Sequence, residues 1–190
     1  MNSFGKFLVG ITVLVSAVSF KANAAFLPVC QRTPEVKQFI EQTLSKTCET
    51  IVESDLLTIT RVAVEGRRVA VFKADDFTGF TNLEILNIRS NPYTELPEGL
   101  LKDLVHLKTL VIISTTLRHY PDDFLAYNLE LENLHAFRNK VTSISESVFS
   151  HLEKLKNLKV IDFDKKLGEA EKARLGLMFP ASSGVQLSYF

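Results

Sequence analysis

The chain has 190 residues, with 22 lysines and arginines against 22 aspartates and glutamates, so its formal net charge at pH 7 is zero. Apolar residues make up 46% of it, and it contains 8 glycines and 6 prolines. This composition excludes disordered and collagen-like chains, and the length favours one domain or one repeat array. Because basic residues are not clustered, we expect no binding to nucleic acid or to anionic membranes.

The N-terminus has the three parts of a secretory signal peptide. Lys6 precedes an uncharged apolar run of 14 residues, and Ala22 and Ala24 then occupy the small-residue positions of an A-x-A cleavage site. A permanent N-terminal anchor is the alternative, but a membrane span needs about 20 apolar residues. We therefore expect cleavage after Ala24, no membrane insertion afterwards, and an exported protein in the periplasm or the extracellular space.

The two cysteines, Cys30 and Cys48, both lie close to the expected new N-terminus. In an oxidising compartment, two cysteines with no other partner usually form one disulfide, so we predict this pairing over two unpaired buried thiols. No metal site is predicted, since no histidine or second cysteine pair stands at ligand spacing.

The segment between the cysteines predicts a helix over 34–44. Thr33 suits the N-cap position, and Pro34 suits the first turn of a helix. The apolar residues Val36, Phe39, Ile40 and Leu44 recur on one helical face. We expect the disulfide to clip this helix onto the segment that follows.

The middle of the chain is a repeat. Its anchors are spaced by 24 residues and then, for the last unit, by 27; they are Ile59, Leu83, Leu107, Leu131 and Leu158. Further apolar residues stand three and five positions after each anchor, and alternate residues of a strand point to the same side. Each unit therefore predicts a strand, a turn and a return segment. One such unit cannot bury its inward side chains alone, so the units must stack.

The unit at 83–106, LEILNIRSNPYTELPEGLLKDLVH, resembles the leucine-rich repeat of the 24-residue type found in secreted bacterial proteins. The resemblance implies an α/β fold, namely a short, curved, right-handed solenoid with a concave parallel β-sheet of about five to six strands. It also implies helical caps at both ends, and an asparagine ladder at Asn91 and Asn139 whose amides bond the backbone of adjacent turns.

Three positions depart from the repeat. Arg67 and Thr115 occupy the ladder position in the other two units, which predicts an interrupted ladder and less regular stacking. Asn128 stands where the other units have Phe80, Leu104 and Leu152.

The pattern divides the chain into a signal peptide at 1–24, an N-terminal cap at 25–58, repeats at 59–166 and a C-terminal cap at 167–190. In the C-terminal cap, GEAEKARLGLMF predicts a helix with Ala170, Ala173, Leu177 and Met178 facing inward. The tail at 185–190 alternates, and it begins 27 residues after the Leu158 anchor. It predicts a sixth, edge strand, with a frayed tail as the alternative.

The sequence gives no indication of catalysis or of a cofactor. The four histidines, His106, His119, His135 and His151, fall in different phases of the repeat, so they are not expected to converge. No nucleophile, metal or phosphate motif is present. We interpret the pairs Asp75–Asp76 and Asp122–Asp123 as solvated turns that cap short helical segments, because a calcium site would need more oxygen ligands.

The candidate site is the concave face of the sheet, which is lined by the residues two, four and six positions after each anchor. An apolar centre with a polar, arginine-bearing rim is typical of a protein-binding patch. The candidate residues are Ile85, Asn87, Arg89, Thr109, Val111, Ile113, Asn133, His135, Phe137, Arg138 and Asp162. The alternative is that the apolar side chains shield each other or are covered by the protein's own termini.

The sequence therefore predicts a non-catalytic module that binds a protein or surface ligand through its concave sheet. A proteinaceous inhibitor of a partner enzyme and a structural envelope protein are the alternatives. We expect a monomer.

Overall fold

The computed structural model describes residues 28–113 and 115–190, in which six short parallel strands form one sheet in the order of the sequence. The strands are β1 (Arg61–Ala63), β2 (Ile85–Asn87), β3 (Thr109–Val111), β4 (Asn133–Ala136), β5 (Val160–Phe163) and β6 (Gln186–Tyr189). The predicted sixth strand is thus confirmed. The predicted signal peptide, 1–24, lies outside the described residues.

The register of the sheet follows the repeat. Ile85 lies opposite Thr109, and Thr109 lies opposite Asn133, so each strand is offset by one unit. The second residue of each of the first five strands is fully buried; these residues are Val62, Leu86, Leu110, Leu134 and Ile161. Because a slip of one residue would turn these side chains to the other face, their burial fixes the register.

Four α-helices lie outside the sheet among the described residues: α1 (Pro34–Leu44), α2 (Glu53–Leu56), α3 (Glu146–Leu152) and α4 (Glu169–Met178). Two short 3-10 helices, Val29–Gln31 and Ala181–Ser183, accompany them. Helix α1 has the predicted bounds and buries Val36 and Ile40, while Phe39 and Leu44 pack at the edge of the core. In the part of the chain that the structure describes, no helix combines the length and the apolar character that a membrane span requires.

Helix α3 is a feature that the sequence did not predict. It lies in the unit that starts at Leu131, which is three residues longer than the others. The extra length lets the return segment form about two helical turns, and these bury Val148, Phe149 and Leu152.

Helix α4 was predicted, but of its four predicted inward residues only Met178 packs against the core. Leu175 and Phe179 are buried, whereas Leu177 is 83% exposed, and Ala170 and Ala173 are exposed as well. Leu175 and Phe179 are four residues apart, so they lie on the same side of the helix. This side packs against the core, and the two large side chains are buried there.

The asparagine ladder is formed by the two predicted residues. Asn91 accepts a hydrogen bond from the Val69 amide at 3.1 Å and donates to the Val64 carbonyl at 2.8 Å. Asn139 accepts from both the amide and the hydroxyl of Thr115, at 3.0 and 2.8 Å. Asn139 also donates to the Ile112 carbonyl of the preceding unit at 2.8 Å. Among the described residues, the Thr115 hydroxyl bonds Asn139 and the Leu117 amide but no backbone group of the preceding unit, so the predicted interruption is present at Thr115.

The other two irregular residues bind different neighbours. Arg67 leaves the ladder and donates to Gln38 and Gln42 of helix α1, at 3.1 and 3.2 Å. Asn128 is buried and donates to the carbonyls of Leu101 and Leu104, at 3.0 and 2.8 Å. Its amide therefore satisfies backbone acceptors of the preceding unit, which a leucine could not do.

The N-terminal cap is joined to the first repeat by buried polar groups. The disulfide between Cys30 and Cys48 is formed and links the two segments that flank helix α1. The Arg32 guanidinium is buried above the Phe80 ring and donates to the carbonyls of Asp76 and Thr78, at 2.6 and 2.7 Å. Desolvation lowers the pKa of Arg32 to about 10, so the group stays charged at neutral pH.

Asp76 completes this joint. Its carboxylate is fully buried and accepts hydrogen bonds from the Thr33 amide at 2.7 Å, the Thr33 hydroxyl at 2.6 Å and the Lys73 amide at 2.8 Å. The prediction that Asp75 and Asp76 form a solvated turn is therefore wrong for Asp76, because the cap docks over it. Asp75 remains partly exposed and pairs with Lys102 at 3.2 Å.

The two neighbouring aspartates give a matched test of this joint. We expect Asp76→Ala to reduce the free energy of unfolding by about 2–4 kcal/mol, because it leaves buried donors without an acceptor. Asp75→Ala should cost less than about 1 kcal/mol, as is usual for a partly exposed ion pair. Urea unfolding of both variants checks the difference, and equal losses would contradict the assigned role of Asp76.

Candidate functional site

The sheet has one face turned away from the buried leucines, here called the open face. Its side chains form rows across the strands because the register aligns equivalent positions of each unit. One row contains Arg61, Ile85, Thr109, Asn133, Val160 and Gln186, and the next contains Ala63, Asn87, Val111, His135, Asp162 and Ser188. Seven of the predicted site residues belong to these two rows. The other four, Arg89, Ile113, Phe137 and Arg138, lie just beyond the ends of β2, β3 and β4.

The centre of the open face is apolar. Ile85, Val111, Ile113 and Phe137 come from three neighbouring units, and each is partly exposed. Ile85 and Val111 are diagonal neighbours on adjacent strands, a spacing within reach of large side chains.

A polar group borders this centre on the β1 side. Glu65 accepts a hydrogen bond from the Asn87 amide at 2.6 Å and pairs with the Arg89 guanidinium at 2.9 Å. Asn87 is thereby largely covered, whereas Arg89 stays exposed. Glu65 was not among the candidate residues, although its place six positions after the Ile59 anchor is a signal that could have included it.

A second polar pair borders the centre on the β5 side. His135 and Asp162 lie opposite each other in the sheet, and their Nδ1 and Oδ2 atoms are 2.5 Å apart. Ser188 is next to Asp162 on β6, on the side away from His135. A serine hydrolase needs its histidine between the serine and the aspartate, so this order does not activate the hydroxyl.

The remaining corner of the open face is partly covered by the C-terminal residue. The rings of Phe137 and Phe190 have their centroids 4.8 Å apart, and the Arg138 guanidinium lies 5.7 Å from the Phe137 ring. Self-coverage, which the sequence left open as an alternative, therefore applies to Phe137 in part. Ile85, Val111 and Ile113 remain partly exposed.

A buried carboxylate lies at the same corner. Asp164 is only 3% exposed; its Oδ1 accepts from the Asn139 amide at 2.8 Å, and its Oδ2 has no hydrogen-bond partner among the described residues. Desolvation raises the pKa of Asp164, although the Asn139 and Arg138 amides and the Lys166 charge act against the rise. A cavity of about 520 Å³ opens beside it and includes Lys165, Lys166 and Tyr189 in its lining.

One group of metal-ligand residue types lies close together in the described part of the chain. It consists of Cys30, Cys48 and Glu49. Both sulfurs are engaged in the disulfide and offer no thiolate to a metal.

Comparison with solved structures shows the leucine-rich-repeat fold that the 24-residue pattern predicted. An internalin from Listeria monocytogenes matches 88% of this chain at 20% identity, with a TM-score of 0.60. A leucine-rich-repeat protein from Leptospira interrogans matches 64% of it at 22% identity, with a TM-score of 0.54. The chain spans 59% and 29% of those two chains, respectively. No protein-family model and no curated protein matches the sequence.

The buried Asp164 predicts a pH-dependent effect of its replacement. Because its pKa is raised in the folded chain, the folded state keeps a proton that the unfolded state has already lost, so stability falls as the pH rises through that window. Asp164→Asn removes the charge and keeps an oxygen for the Asn139 amide. We expect it to raise the melting temperature at pH 7, and the gain should shrink as the pH falls toward about 4.

Thermal unfolding between about pH 4 and pH 7 measures this difference. Asp122→Asn is the control, since Asp122 is exposed and accepts only from the hydroxyls of Ser145 and Ser147. A gain for Asp164→Asn that does not change with pH would contradict the ionised, desolvated carboxylate.

Proposed function

We propose that this protein is an exported, non-catalytic binding module that recognises a protein ligand through the open face of its sheet. The observation that carries the proposal is the partly exposed apolar centre of Ile85, Val111, Ile113 and Phe137 between two hydrogen-bonded polar groups. Side chains that face away from the core need not be apolar for the fold to form. We therefore interpret this exposed apolar cluster as a ligand-binding surface.

The polar border supports a specific interface. Glu65 already holds Asn87 and Arg89, and Asp162 already holds His135, so less side-chain entropy is lost when a ligand binds. An apolar centre within a polar rim is also the usual arrangement of binding energy in protein interfaces.

The dimensions of the face favour a small, convex element of the partner. Six strands spaced by about 4.8 Å span roughly 24 Å across the sheet. Each strand contributes three or four residues along its length. Such an area is at the lower end for specific complexes, so we expect modest affinity.

The disulfide supports the proposed location. A bond between Cys30 and Cys48 persists in oxidising compartments, which agrees with the signal peptide predicted at 1–24. The periplasm and the extracellular space both fit.

The test is a pull-down from envelope and culture-supernatant extracts with the chain from Ala25 onward. Ile113→Ser/Phe137→Ser removes apolar groups from the open face. Val105→Ser/Tyr127→Ser is the matched control, because these two side chains are 43% and 52% exposed on connections outside the strands. We expect the parent and the control to retain a partner that the open-face variant loses, with all three folded by circular dichroism.

Binding measurements with the purified partner then give the size of the change in Kd. If the two side chains are central to the interface, its Kd for the open-face variant should be at least about tenfold weaker than for the parent. Equal affinity for both would contradict the open-face site. A partner enzyme whose activity stops at a stoichiometric dose would identify an inhibitor, whereas sedimentation with the envelope without a partner would favour a structural role.

A further inference from the structure

The two ends of the sheet differ in how they are covered. At the β1 end, helix α1, the disulfide and the buried pair of Arg32 and Asp76 close the solenoid. At the other end β6 is the last strand, and no strand within 28–113 and 115–190 pairs with its outer side.

Within the described part of the chain, no backbone group pairs with the outer side of β6, and the strand carries none of the features that usually protect an edge. The amides of Gln186 and Phe190 donate toward β5, at 2.7 and 3.0 Å, so the alternate amides of Leu187 and Tyr189 face outward. The segment at 185–190, VQLSYF, contains no charged residue and no proline. Charges and prolines are the common means by which edge strands avoid pairing with other chains.

The core is also incompletely covered at this end. Leu187 occupies the position of Leu134 and Ile161, which are fully buried, yet it is only partly buried. Among the described residues, the unit of Leu187 has a neighbouring unit on one side only. Beside the strand lies a cavity of about 450 Å³ whose lining includes Leu155, Met178 and the largely exposed Leu177.

We propose that a second copy of this chain covers this end, with β6 antiparallel to the partner's β6 across a twofold axis. In an antiparallel pair the outward amides and carbonyls of one strand meet those of the other, so an identical strand is self-complementary. The uncharged segment at 185–190 meets its own copy without repulsion. The cavity rim carries one acid, Glu153, and one base, Lys156, which suits a twofold contact because unlike charges can face each other.

The pairing would join the two sheets into one of twelve strands. The twofold axis is normal to the sheet, so both open faces lie on the same side. The dimer would then present two open faces to one ligand surface. This differs from the monomer expected from the sequence, and it does not depend on the proposed function.

The experiment uses light scattering after size-exclusion chromatography on the chain from Ala25. Leu177→Lys/Gln186→Lys and Leu177→Glu/Gln186→Glu place charges at the β6 end on two exposed positions outside the core. We expect a dimer for the parent, a monomer for each charged variant, and a dimer again when the two variants are mixed. Recovery on mixing separates interface repulsion from misfolding. Val71→Lys, at the opposite end and 67% exposed, is the control and should remain dimeric.

A parent that stays monomeric up to about 100 μM, where a micromolar Kd would give mostly dimer, would overturn the proposal. A dimer that resists both charge variants would overturn it too, and so would variants that remain monomeric on mixing. The open-face variant changes no residue of β6, but Phe137 contacts Phe190 beside that strand. Light scattering on Ile113→Ser alone, which should remain dimeric, therefore lets the two proposals fail separately.

Discussion

The structure depends on one constraint, which is that a single repeat unit cannot bury its own inward side chains. Leu86, Leu110 and Leu134 are fully buried because each unit is covered by a neighbour on both sides. The same stacking aligns the strands, and the alignment places equivalent residues in rows on the open face. The constraint also leaves the core uncovered at the two ends of the described array, since each end unit has only one neighbouring unit.

The N-terminal cap covers its end of the core with directional polar contacts as well as apolar packing. Burying the charges of Arg32 and Asp76 is costly, and the cost is offset because two backbone carbonyls accept from Arg32 while two backbone amides and the Thr33 hydroxyl donate to Asp76. Such contacts require one position of the cap, whereas apolar surfaces alone tolerate small shifts. The disulfide adds to this by limiting the unfolded states of the cap segment.

The open face is under a different constraint. Its side chains point to the side of the sheet opposite the leucine core, so they can vary in character while the fold stays the same. Here they form an apolar centre between two polar groups, and Phe190 covers part of one corner. The proposed ligand site and the proposed dimer contact therefore lie on adjoining parts of one sheet, one on its face and the other on its edge.

The sequence by itself determined the repeat, the first five strands with their register, helix α1 and the pairing of Cys30 with Cys48, and it left the sixth strand open against a frayed tail. These features follow from local periodicity or, for the cysteines, from the lack of another partner. Only the tertiary structure decided that Asp76 is buried, that Leu177 is exposed and that Phe190 meets Phe137. Each of these outcomes depends on how a cap docks against residues distant in the chain. A periodic pattern identifies the face that a residue occupies within its own unit, but it carries no information about which distant segment covers that face.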